Sequence, residues 1–214
     1  MNFLIHLYVT GDDPELLVGN LMGDFVKGRL TGQFPAAIEE GIILHRRIDS
    51  FAAGNTNFLR SKRRLDASCA LYRGVLVDLF YDHFLALNWN EYASVPFIDF
   101  LSHATEIVRC HVDILPEKLR RMKSVIFGEL LPSYLEIEGI ERALGRMSTR
   151  LKRPNPLKGG AGELRKHYGG LYADFHQFMP ELLDFVRGCS FATTEKCGII
   201  HLGECSRNQN ESIG

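Results

Sequence analysis

Apolar positions along the chain recur at spacings of three and four residues and almost nowhere alternate with polar ones, so the sequence predicts helices and no sheet. Asp12-Asp13-Pro14 has the form of a cap followed by proline in a first turn, and opens a helix running to about Gly28. Pro35 opens a second, from Ala36 to roughly Phe51. Ala52-Ala53-Gly54-Asn55 reads as a break before a short basic segment from Phe58 to Leu65. Residues 69–88 make a long apolar helix, and Ser94-Val95-Pro96 begins another that stops before Pro116. Pro116 and Pro132 bracket one more, and Ile137–Leu151 and Gly162–Arg187 supply the last two. Seven or eight helices with short connections make an all-α, single-domain bundle. Residues 1–189 are expected to form the domain. From about Ser190 the chain turns polar and Gly-rich, so 190–214 is expected to be a loosely ordered tail.

Residues 70–87 carry the most information. Thirteen of these 18 residues are apolar, and they fall on every side of a helical projection, so the helix is expected to be buried. It does not read as a membrane span, because Arg73, Asp78 and Asp82 would each cost about 2.5–3.5 kcal/mol near a bilayer centre. Asp78 and Asp82 are four residues apart, on one stripe, and burying two carboxylates together is costly. A shared cation or a shared proton resolves the cost, as does an arginine from another helix. His83 adds an imidazole beside them.

Two further segments repeat this geometry. His45 and Asp49 are again four apart, after the apolar run Ile42-Ile43-Leu44, and Asn20 and Asp24 are expected on one face of the first helix. Glycines at 19, 23 and 28 are poor helix formers and point to close approach of another element. His6 lies in an apolar stretch at the start. Any one of these histidines reads most simply as a hydrogen-bonded core residue. Together, His and Asp without core cysteine suit a divalent ion such as Mn²⁺ or Mg²⁺ better than structural zinc. Arg46 and Arg47, inside the His45–Asp49 turn, are of a type that holds phosphate oxygens bidentately.

Composition narrows the setting. The 214 residues carry 25 Lys and Arg against 26 Asp and Glu, a net charge of −1, so no overall basic field points to nucleic acid. The amino terminus has no basic region followed by a long apolar run and does not read as a signal peptide. Five cysteines without a framework suit a reduced, cytoplasmic protein, and Cys197, His201 and Cys205 do not match common zinc modules. Charge is nevertheless uneven. Residues 142–166 hold eight Lys or Arg against Glu163, and Arg60–Arg64 hold four cations in five positions. Such runs suit electrostatic steering of an acidic macromolecular partner.

At these positions the chain resembles the acyl carrier protein phosphodiesterases. The matching stretches are Met1-Asn2-Phe3-Leu4 with His6-Leu7, Gly19-Asn20 with Gly23-Asp24-Phe25-Val26-Lys27-Gly28, His45-Arg46-Arg47-Ile48-Asp49, and Asp78 with Tyr81-Asp82-His83-Phe84-Leu85. Weaker echoes run through Arg153-Pro154-Asn155-Pro156 and His167-Tyr168 to Asp174-Phe175, so the likeness covers roughly 1–188. The resemblance implies a divergent HD-type, all-α, metal-dependent phosphohydrolase using Mn²⁺, with Mg²⁺ or another divalent ion as alternatives. It implies hydrolysis of the bond joining 4′-phosphopantetheine to acyl carrier protein, yielding the apo form. His6, Asp24, His45, Asp49, Asp78 and Asp82 map onto metal positions, and Asp24, Arg46 and His83 onto catalytic ones. The acidic carrier protein would meet the basic segments Arg60–Arg64 and Arg142–Lys166. One departure is Ala52-Ala53, where relatives commonly carry Thr-Asp. An HD-type hydrolase of a small nucleotide or other phosphoester, and a non-catalytic carrier-binding module, remain the competing expectations.

Overall fold

The computed structural model describes residues 3–189; the expected tail, with Cys197, His201 and Cys205, lies outside the described residues. Within them the chain is all helical. The α-helices are α1 (Phe3–Tyr8), α2 (Pro14–Met22), α3 (Ala36–Gly54), α4 (Thr56–Arg64), α5 (Arg73–Leu87), α6 (Trp89–Tyr92), α7 (Phe97–Cys110), α8 (Glu117–Val125), α9 (Ile137–Arg150) and α10 (Gly160–Arg187). Short 3₁₀ turns and one π turn, Ile126–Leu130, connect several of them. Ten helices replace the expected seven or eight because α1 and α6 are too short to show a periodic pattern.

Two boundaries differ from the expectation for physical reasons. The first predicted helix stops at Met22, and Gly23, Asp24 and Phe25 form a turn whose amides at Phe25 and Val26 bond back to the Met22 carbonyl, at 2.8 and 3.0 Å. Asn20 and Asp24 therefore do not share a helix face. The predicted break at residues 52–55 is also shorter than expected. Helix α3 runs on to Gly54, and only Asn55 leaves it, its side-chain oxygen accepting from Asn57 N and Phe58 N to cap α4.

Helix α5 is the centre of the bundle, packed against α1, α4, α9 and α10. From Leu76 to Ala86 every residue except Asp78 is buried. Asp82 is wholly buried, and its two carboxylate oxygens accept from the amides of Leu4 and Ile5 at 3.0 and 2.9 Å. The first turn of any helix leaves amides without intrahelical partners, and a carboxylate there also meets the positive end of the helix dipole. Asp82 thus ties α1 onto α5.

Helices α2 and α3 cross with their backbones in contact. A Cβ at Gly19 would stand 2.1 Å from the Ile38 carbonyl oxygen, and one at Gly41 would stand 2.5 Å from that of Leu16. Only glycine fits at these two positions. Gly28 has a different reason, a positive φ of 84° with open space around it.

Candidate metal centre

Three elements converge at the α2–α3 crossing. Helix α1 contributes His6, α3 contributes His45 and Asp49 from successive turns, and the turn after α2 contributes Asp24. His6 Nε2 lies 3.4 Å from Asp49 Oδ1, and His45 Nε2 lies 3.4 Å from Asp49 Oδ2 and 3.7 Å from Asp24 Oδ1. One ligand atom each from His6, His45 and Asp49 fall within 4.8 Å of one another. Ligands about 2.1 Å from an ion in octahedral geometry stand roughly 3 Å apart when adjacent and roughly 4 Å when opposite, so this spacing suits a single divalent ion.

Asn20, expected only to share a helix face with Asp24, aims both imidazoles. The side-chain oxygen of buried Asn20 accepts from His6 Nδ1 at 2.8 Å, and its backbone carbonyl accepts from His45 Nδ1 at 2.9 Å. The Nε2 of His6 is thereby turned to Asp49, and that of His45 to Asp49 and Asp24. Histidines that ligate metals characteristically donate their other N–H to an oxygen in this way. His6 Nε2 is buried without a hydrogen-bond partner, since its 3.4 Å approach to Asp49 does not make one. Such a nitrogen fits a metal ligand. Gly23 makes room for the arrangement: a Cβ there would stand 2.2 Å from His45 Cγ.

Charge is distributed accordingly. Burial lowers the His6 pKa, and the neighbouring His45 lowers it further, against the pull of Asp49. Burial alone would lower His45 too, but the carboxylates of Asp24 and Asp49, 3.7 and 3.4 Å from its Nε2, raise it to about 9. Burial would raise Asp49 and Asp24, yet the imidazoles hold both below the usual carboxylate range. Asp78, partly exposed on α5, is pushed up to about 6 by burial together with the negative charges of Asp49 and Asp24.

A model of the acyl carrier protein phosphodiesterase family matches residues 1–182. The chain belongs to that family. Curated relatives named acyl carrier protein phosphodiesterase include one from Photorhabdus laumondii, 31% identical over 86% of this chain and 94% of its own length. Another, from Klebsiella pneumoniae strain 342, is 31% identical over 86% of this chain and 96% of its own, and one from Yersinia pestis is 29% identical over the same shares. No solved structure matches the chain. As a member of this phosphodiesterase family the chain is an enzyme. Among the described residues no helix is long and apolar enough to cross a membrane.

Two phosphodiesterase positions expected at the centre have other tasks. Asp82 is the anchor of α1, with both oxygens taken by amides, and burial pushes its carboxyl up to about 8. His83 turns away, donating Nδ1–H to the Tyr134 carbonyl at 2.7 Å and packing against Phe84 and Tyr168, so a catalytic role for it finds no geometric support. Arg46 donates to the Val26 carbonyl at 3.0 Å, which steadies the turn carrying Asp24. Arg47 is exposed on the flank of α3. At the family departure, Ala52 faces the core and Ala53 faces solvent, one turn beyond Asp49.

The basic segments also divide. Arg60 and Arg64 turn inward onto buried Asp174, at 2.5 and 2.8 Å, with Ser61 completing its shell at 2.9 Å. An acidic side chain in the apolar face of α10 requires such partners, and these two arginines supply them. In the second segment Arg146 pairs with Glu129, and Arg165 with Glu138 and Glu141. Arg142, Arg150, Lys152, Arg153 and Lys158 are exposed and have no carboxylate partner among the described residues.

Proposed function

We propose that the protein hydrolyses the phosphodiester between 4′-phosphopantetheine and the serine of acyl carrier protein, yielding apo-carrier, with a divalent ion at the centre described above. Mn²⁺ is the ion we favour. His6, His45 and Asp49 would hold it, with Asp24, 3.7 Å from His45, beside them and Asp78 as a further candidate ligand. When bound, such an ion supplies Lewis acidity to phosphate oxygens and acidifies water. The observation that carries the reading is the pair of imidazoles aimed by Asn20, one with a buried lone pair facing a carboxylate.

The chain's own residues supply the rest. Asn20 fixes the tautomer of both imidazoles, so neither ring has to reorient during turnover. Asp24 sits on a turn at the edge of the cluster, below its usual pKa and therefore ionised, where it can accept a proton from attacking water or act as a further ligand. The exposed cations of the 142–166 segment would receive the acidic carrier and steer it to the site. The family membership supports the carrier protein as substrate over a small nucleotide.

Incubation with holo-acyl carrier protein and Mn²⁺, followed by mass spectrometry of the carrier, tests this directly. Loss of the phosphopantetheine mass, abolished by chelator and restored by the ion, is the expected result. No release with Mn²⁺, Mg²⁺ or other divalent ions would overturn it.

A further inference from the structure

Beside the turn that carries Asp24 the fold leaves a groove of about 720 Å³, within the usual range for ligand sites. One end is made by Phe25, the residue after Asp24, and by Val75, which precedes Asp78 by one turn of α5. The opposite wall comes from α8 and the end of α9, chiefly Met122, Met147 and Leu151. The Lys118 ammonium stands 5.8 Å from the Phe25 ring centroid, joining α8 to the Asp24 turn over the near end.

Three properties of this groove point to an occupant. Its walls are mainly apolar, and Leu151 stays 42% exposed, an unusual state for a large aliphatic side chain beside a core. Two of the wall residues are methionines, whose flexible thioethers adapt to an elongated, mobile ligand. The groove is also continuous with the basic face: Met147, Arg150 and Leu151 belong to the segment that ends in Lys152 and Arg153. A partner held on those cations lies alongside the groove, so a long appendage rooted beside Asp24 would run along the groove away from it.

Resting on the carrier-protein reading above, we infer that this groove seats the pantetheine arm of the substrate. The phosphate lies at the His and Asp cluster, and the arm passes Phe25 and runs between Met122 and Met147. The methylene and dimethyl groups of the arm meet apolar walls, and its amides stay near the open side. Met147 and Leu151 are then substrate-binding residues that select for the arm and take no part in the phosphorus chemistry.

Both side chains are partly exposed, so charge can be introduced without burying it. The experiment compares Met147→Glu, Leu151→Glu and Met147→Leu with the unaltered protein, all with Mn²⁺ present. It measures calorimetric binding of 4′-phosphopantetheine and of inorganic phosphate, with KM and kcat on holo-carrier alongside. The glutamate variants are expected to weaken 4′-phosphopantetheine binding and raise KM by about tenfold, leaving kcat and phosphate binding within about twofold. Met147→Leu keeps the apolar wall, so its 4′-phosphopantetheine binding and KM should fall between those of the unaltered protein and Met147→Glu. Unchanged 4′-phosphopantetheine binding in both glutamate variants would overturn the assignment, as would an equal loss of phosphate binding. An unaltered protein that releases nothing from holo-carrier defeats the functional reading. An active one whose variants are indifferent defeats only the groove.

Discussion

The imidazole of His6 lies flat against that of His45, with ring centroids 3.9 Å apart and planes inclined by 18°. Two stacked rings cannot both be imidazolium without repulsion, and Asn20 fixes which nitrogen carries the first proton by accepting from the Nδ1 of each. Asn20→Ala keeps the backbone carbonyl that orients His45 and deletes the oxygen that orients His6. Apparent Mn²⁺ affinity is expected to fall by about 10- to 100-fold, as for other residues that orient metal ligands. Calorimetric titration with Mn²⁺ checks this, and an unchanged affinity would show that His6 needs no orientation.

Gly19 and Gly23 separate stability from activity. A methyl at Gly19 meets the Ile38 carbonyl and must push α2 off α3, so Gly19→Ala should cost about 1–3 kcal/mol of stability. At Gly23 the methyl meets the His45 ring. Gly23→Ala should lower turnover by more than tenfold at a smaller cost in stability, because a displacement near 1 Å at a catalytic group is enough for that. Urea melts and phosphopantetheine release, measured side by side, distinguish the two.

Asp174 governs part of the acid stability. Burial would raise its pKa, but Arg64, Arg60 and Ser61 outweigh burial and hold it below the ordinary carboxylate value. Its contribution to folding is therefore complete above the unfolded pKa of about 3.9 and is lost as pH falls through the folded value. Asp174→Asn should cost about 2 kcal/mol at pH 7 by weakening charge-assisted bonds to two partly exposed arginines. The difference between the two proteins in urea midpoint should shrink steadily from pH 5 to pH 3. A difference that stays constant over that range would contradict the assignment.

Charge reversal separates the two basic segments. Lys152→Glu with Arg153→Glu is expected to raise KM for holo-carrier by about tenfold at low salt and much less at high salt, since exposed charges act over a Debye length of about 10 Å at 0.1 M. Arg60→Glu should instead lower the melting temperature, because it removes one of the two cations on Asp174 and sets a second carboxylate against it. Kinetics at two ionic strengths, with thermal melts, test both.

The sequence announced α5 and the His45–Asp49 pair because each has a local signature: an apolar helix with no wet face, and ligands one turn apart. The role of Asp82 was not legible. A carboxylate in an apolar helix can be satisfied by a cation or by the open amides of another helix, and the choice depends on where α1 docks. Asn20 was visible only as a polar residue within an apolar helix, and its two bonds span 14 and 25 residues of chain. Arg60 and Arg64 looked like surface charge because their partner, Asp174, is more than 100 positions away.

Because both oxygens of Asn20 are spoken for, the two rings are clamped to the place where α2 and α3 touch through glycine, and one cannot shift without the other. Whatever adjustment the enzyme makes between different carriers must then occur across the cleft, where methionines leave slack, while the reacting end stays fixed.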